Sequence, residues 1–220
     1  ETPIAQGGVS VAAYIMVSMA MYGAMMSATQ TGAAVAVERA QGWSRQLRLT
    51  PLNPLVNIII KMIAGMVLGL LAVAATYAAG AISGVQLTPM QWIGTGLVGW
   101  LLASAVFTTL GLFVGYLMPG ENAAQVTSLV IVFLSFLGGL FYPISSMPEF
   151  MQTIARFTPV YGIGELARSP LTGEAFDVMW LVNAIAWLVL FIAGIQGIPE
   201  DFFEAAEIDG AGPVTRFLRI

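Results

Sequence analysis

The residue types that do most biological chemistry are scarce in this sequence. It contains no His and no Cys, which removes the usual metal ligand, the usual general base and all thiolate chemistry. Its one Lys, Lys61, stands within Ile-Ile-Lys-Met and not in the Gly-x4-Gly-Lys-Ser/Thr loop that cradles phosphates. The chain therefore does not bind and hydrolyse ATP by that device. Two charged islands remain. In the first, Val37 to Leu52, charges recur at Glu38, Arg39, Arg45 and Arg48, with Gly42 between them, while Trp43, Leu47 and Leu49 supply apolar contacts. This spacing predicts a short amphipathic helix ended by Thr50-Pro51. It reads either as an interfacial helix whose arginines reach lipid phosphates or as a docking helix whose charged end fits a groove on a soluble partner. In the second island, Pro199-Glu200-Asp201 starts a helix with acids at its positive end. Phe202, Phe203, Ala206 and Ile208 give it apolar contacts, and Asp209-Gly210 ends it.

The elements that must position these islands are membrane spans. Of 220 residues, 58% are hydrophobic and 9% charged, against about 25% charged in an ordinary soluble domain. No Asp, Glu, Lys or Arg occurs in the 59 residues from Met62 to Gly120 or in the 36 from Thr2 to Val37. A helix crosses the ~30 Å hydrocarbon layer with about 20 apolar residues. The composition excludes a soluble enzyme, a nucleic-acid binder and a disordered tail. Hydropathy predicts five spans: Val9 to Thr29, Leu55 to Ser83, Trp92 to Leu117, Ala123 to Tyr142 and Val178 to Ile198. The last three are expected to end at Pro119-Gly120, Pro143 and Pro199.

With five crossings, the connection 38–61, the link around Gly120 and the tail after Pro199 lie on one side and carry six of the eight basic residues. The other side carries only Arg156 and Arg168. The positive-inside rule puts loops 38–61 and 199–220 in the cytoplasm and the N-terminal residue outside. No cleavable signal places it there, so a preceding helix is expected. No span holds a charge near its middle, which argues against self-contained proton coupling. Gly65-x3-Gly69 and Gly111-x3-Gly115 carry the spacing that lets two helix backbones approach closely in lipid.

The run Glu-Arg-x2-Gly-x4-Leu-x2-Thr-Pro-Leu from Glu38 resembles the first cytoplasmic loop of ABC type-2 transporter permeases. Met118-Pro119-Gly120-Glu121-Asn122-Ala123-Ala124-Gln125 is similar to the family's link between its fourth and fifth helices. Gly138-Gly139-Leu140-Phe141-Tyr142-Pro143, followed by Met147-Pro148-Glu149 and Thr158-Pro159-Val160-Tyr161, looks like the end of its fifth helix and its extracellular re-entrant pair. The three matches occur in order over about residues 9 to 193. The resemblance implies a six-helix permease whose first helix would precede Glu1. It also implies two permease copies forming a pathway, and ATP-binding cassette subunits docked beneath them. The loop with Glu38, Arg39, Gly42 and Arg45 would transmit ATP-driven closure, and Ser145 to Arg168 would cap the outer mouth. For Glu149, Arg156 and Glu165 within that cap, ordinary interfacial solvation is the expectation.

The tail is similar to a different family. Glu204-Ala205-Ala206, followed at matching spacing by Gly210 and Ile220, resembles the EAA loop of binding-protein-dependent, sugar-type ABC importer permeases. That loop would be a second coupling helix. A natural permease is not expected to hold both loops. Either the chain is a fusion, or it joins pieces of two genes, the reading its missing start and end favour.

The expectation is an all-α polytopic membrane helix bundle with about five transmembrane helices, short coupling helices and an extracellular re-entrant segment. Residues 1–193 form an ABC type-2 permease-like domain and 194–220 an EAA-like coupling segment. Expected is a plasma-membrane permease, not an enzyme, exporting a drug, lipid or polysaccharide-like amphiphile with ATP hydrolysed on a partner subunit. No cofactor is expected in this chain. The partners are the ATP-binding cassette subunit, a second permease copy and membrane lipid, with no nucleic acid. The ATPase-coupling residues are Glu38, Arg39, Gly42, Arg45, Glu204, Ala205, Ala206 and Gly210. The rivals are a sugar-importer permease and a non-transport membrane scaffold.

Overall fold

A computed structural model describes residues 10–42, 54–118, 120 and 122–197. Its helices are α1 (Val11–Ala33), α2 (Val35–Ala40), α3 (Pro54–Ile82), α4 (Pro89–Leu117), α5 (Asn122–Leu137), α6 (Glu149–Arg156), α7 (Pro159–Thr172) and α8 (Val178–Gln196), with a 3-10 turn at Ile144–Ser146. No strand occurs among the described residues. Four helical stretches are long and apolar enough to cross a membrane: Val11–Ala40, Ile58–Ile82, Pro89–Leu117 and Val178–Gln196.

Local sequence sets most of the boundaries. The Ser10 hydroxyl accepts the Ala13 N–H at 3.1 Å and caps α1. Thr88 and Gln91 form a reciprocal capping box, and Pro89 opens α4. The Thr158 hydroxyl caps α7, whose end is turned by Gly173 at φ +70°. The Asp177 carboxylate accepts the Met179 N–H at 2.8 Å and starts α8.

Two expected boundaries are corrected. The fourth span stops at Leu137, not Tyr142. Gly139 takes φ +76°, and a Cβ on Gly138 would stand 2.6 Å from Val160 Cγ1. The Gly pair ends the helix five residues before Pro143 is reached. The first span, expected to stop at Thr29, runs through a single turn residue at Ala34 to Ala40. Gln41 and Gly42 then close it, Gly42 at φ +81°. Val37 to Ala40 thus belong to the end of a span and not to a separate loop helix. The rest of that predicted helix, Gln41 aside, falls at Gly42 and on residues 43–53, the latter outside the described residues.

Among the described residues, the contacts set the relative directions of five apolar helices. Tyr14, near the start of α1, reaches Gly139, just after α5, while Gln30, near the end of α1, reaches Ala124 and Ser128 at the start of α5. α5 is therefore antiparallel to α1 and runs between the same two ends, although its 16 residues span only about 24 Å. α3 leaves the Glu38 end through Lys61 and passes Met16 at Gly80. α4 returns from Gln91 to Tyr116 beside Arg39. α8 brings Ile195 to Val35 and Ile58 at the Glu38 end. Residues 138–177 leave and return at the Tyr14 end, so α6 and α7 form the expected re-entrant pair. α7 buries Val160, Ile163, Ala167 and Leu171 in the main core.

α4 is the central helix, packed against α1, α3, α5, α7 and α8. Toward the Glu38 end, its contact with α1 brings backbone against backbone. A Cβ on Gly111 would lie 2.9 Å from the Thr29 carbonyl carbon, and one on Gly32 would lie 2.6 Å from the Leu112 nitrogen. Gly65 and Gly69 of α3 instead seat the side chains of Thr108 and Ser104 of α4. Both Gly-x3-Gly pairs are thus close-packing positions. Thr29 and Thr108 return their hydroxyls to the carbonyls of Met25 and Ser104, each at 2.7 Å, so they sit buried in the interface without an unpaired donor.

Candidate functional site

At the Glu38 end, two adjacent charges engage two different spans. Glu38 is ion-paired with Lys61 of α3; their side chains are 37% and 17% exposed. Arg39 Nη1 donates to the Tyr116 carbonyl at 2.7 Å, and its guanidinium lies over the Tyr116 ring, 5.4 Å from the centroid. Tyr116 is in the last turn of α4, where carbonyls have no intrahelical partner and the helix dipole is negative. A guanidinium is a suitable cap for that position. Gly42 follows within the same turn, its N–H bonded to the Arg39 carbonyl at 3.0 Å.

Of the eight coupling residues expected from sequence, the structure places Glu38, Arg39 and Gly42 together at the end of α2. Arg45, Glu204, Ala205, Ala206 and Gly210 lie outside the described residues. Nothing in the sequence signals the pairing of Lys61 with Glu38, 23 residues earlier. Tyr116 was missed because it contributes through its carbonyl, which carries no residue-type signal.

At the Tyr14 end, the re-entrant pair is tied down by side chains donating to backbone carbonyls. Gln91 Nε2 donates to Pro170 at 3.3 Å, Asn183 Nδ2 to Arg156 at 3.0 Å and Trp187 Nε1 to Phe157 at 3.0 Å. The Tyr14 hydroxyl donates to Gly139 at 3.4 Å. Glu149 and Arg156 are exposed, in keeping with interfacial solvation. Glu165 is not simply solvated: it accepts Arg168 Nη2 at 2.8 Å. The Arg168 side chain is 4% exposed, and its guanidinium lies 5.3 Å from the Tyr14 ring centroid. The i, i+3 spacing of Glu165 and Arg168 was the available signal.

Nothing among these groups resembles a catalytic constellation, and no cluster of metal-ligating residues occurs among the described residues. What the arrangement offers is a charged junction joining three helices at one end and a pinned re-entrant pair at the other.

The family model described as ABC-2 family transporter protein matches residues 1–195. YvfS of Bacillus subtilis (strain 168), a transport permease by name, is 31% identical over 183 residues, covering 82% of this chain and 74% of its own length. Nodulation protein J of Rhizobium leguminosarum bv. trifolii is 31% identical over 191 residues, 81% of this chain and 69% of its own. The xylose/arabinose import permease protein XacH of Haloferax volcanii is 30% identical over 105 residues, 48% of this chain and 31% of its own. No solved structure matches the chain.

Proposed function

The chain belongs to the ABC-2 transporter family, and from that premise we propose that it exports an amphiphile using ATP hydrolysed by a separate subunit. Membership makes it a multi-pass plasma-membrane permease subunit of an ABC transporter, a kind of protein that works with an ATP-binding subunit. Export, the amphiphilic substrate, the second permease copy and the coupling residues are the proposal.

The carrying observation is the junction at Glu38 and Arg39. A load applied to the loop after Gly42 reaches α3 through Lys61 and α4 through Tyr116. The positive-inside count places that loop in the cytoplasm, where an ATP-binding cassette subunit would meet it. Exposed apolar residues such as Ile63, Leu71, Leu129, Phe133, Val182 and Val189 suit lipid and a second copy. In this reading residues 1–193 are the permease domain, and 194–220, including Glu204, Ala205, Ala206 and Gly210, add a second coupling segment.

The test is co-purification with an ATP-binding subunit, followed by ATP-driven uptake of a fluorescent amphiphile into inverted membrane vesicles. Uptake that needs hydrolysable ATP supports export. Failure of any ATP-binding subunit to co-purify would sink the proposal. A second reading, a sugar-importer permease, draws on the EAA-like run and on the partial match to XacH. ATP-driven sugar uptake into right-side-out vesicles, dependent on an added binding protein, would favour it.

A further inference from the structure

Arg168 is the one described charged side chain that the fold buries almost completely. A guanidinium has five donors. Nη2 is used on Glu165, while Nη1 is buried with no hydrogen-bond partner. A buried donor without an acceptor is costly, more so on a charged group, and native structures keep few of them. The surroundings are built around the cation. The Tyr14 ring lies against the guanidinium, and the Tyr14 hydroxyl is held by the Gly139 carbonyl. Gly164 makes room, since a Cβ there would stand 3.0 to 3.3 Å from the guanidinium atoms. Leu140, Val160, Ile163 and Leu171 belong to the apolar core around this end of the bundle.

The two partners are unequal. Glu165 is 21% exposed and Arg168 is 4%. Glu165, the more exposed of the two, can turn outward. Arg168 cannot, and without its carboxylate it would be a buried, uncompensated cation that demands an anion. We propose that Glu165 is a placeholder for an anionic oxygen group, a phosphate or carboxylate on the headgroup of an amphiphile, which exchanges with it on Arg168 at the Tyr14 end of the permease. This names a substrate class for the exporter and so rests on the export reading. The exchange moves one ion pair for another and needs no net change of buried charge. The Tyr14 ring covers one face of the guanidinium, and Nη1 supplies the donor that a second oxygen of the headgroup accepts.

The experiment is equilibrium binding of radiolabelled dodecyl phosphate to the full permease in phosphatidylcholine nanodiscs. The wild type is expected to bind saturably, with no competition from dodecyl maltoside. Glu165→Gln, which removes the placeholder and keeps the guanidinium, is expected to bind about tenfold more tightly. Arg168→Gln is expected to lose saturable binding. Equal or weaker binding by Glu165→Gln, or unchanged binding by Arg168→Gln, would overturn the proposal, and the Glu165 variant decides it even where the Arg168 variant does not fold. Competition by phosphatidylglycerol in the nanodisc assigns the anion to the bilayer. Its absence, with ATPase stimulation by dodecyl phosphate, assigns it to the exported molecule. Binding is read without ATP, so its failure alone removes this site and leaves export standing, whereas loss of ATP-driven uptake alone removes the export reading.

Discussion

Lys61 of α3 is ion-paired with Glu38 of α2, and the next residue, Arg39, caps the end of α4. One dipeptide thereby ties the end of the first span to two neighbours that are separate passages of the chain. The pair is partly buried, and what distinguishes it is connectivity.

Replacing Glu38 and Arg39 together by Ala is therefore expected to lower ATP-driven transport about tenfold, within the range of typical coupling energies, while the amount of folded permease holds. The exchange Glu38→Lys with Lys61→Glu should recover part of that loss. Vesicle uptake with parallel ATPase rates is the measurement, and undiminished transport in the double Ala variant would remove the coupling role.

Gly111→Ala should destabilise the permease by about 1–3 kcal/mol, the usual cost of forcing volume into a packed interface, because the added methyl meets the Thr29 backbone. Gly23→Ala is the contrast. Its Cβ would lie 3.4 Å from Ala72 Cβ, an ordinary contact, and helix propensity favours Ala over Gly by about 1 kcal/mol. Thermal unfolding in detergent should move the two variants in opposite directions.

Ser104 carries a buried hydroxyl with no hydrogen-bond partner. Ser104→Ala removes that unpaired group and should leave stability unchanged or raise it by about 1 kcal/mol. A lowered unfolding temperature would show that the hydroxyl has a partner in the membrane.

Glu204→Ala with Gly210→Val tests the EAA-like segment. Reduced ATP-driven transport at normal permease abundance is expected if 194–220 takes part in coupling. Full transport would leave the Glu38–Arg45 loop as the sole coupling element of the chain.

The spans were legible because lipid leaves a single solution to the backbone hydrogen-bond problem. Their order follows from the apolar runs between the charged islands. Less legible was where each helix stops. Gly138-Gly139 outranks Pro143 because a left-handed turn and a close contact with Val160 are decided by tertiary packing. Likewise, nothing local says that α1 continues past Thr29 to Ala40. At the charged end, residue types pointed to Glu38 and Arg39, but their partners lie 23 and 77 residues away. Arg168 was counted only as a basic residue on the sparse side, because burial is not written in its neighbours.

The contact of α1 with α4 has a mechanical consequence. Where α1 and α4 meet backbone to backbone at Gly32 and Gly111, there is no space for even a methyl group between them, so at that point the two helices would move together. Arg39, at the end of α2, is tied to the same helix pair through Tyr116. The relative motion of a transport stroke would then be taken up at looser seams, such as the one where Phe113 of α4 meets Phe191 of α8 ring against ring.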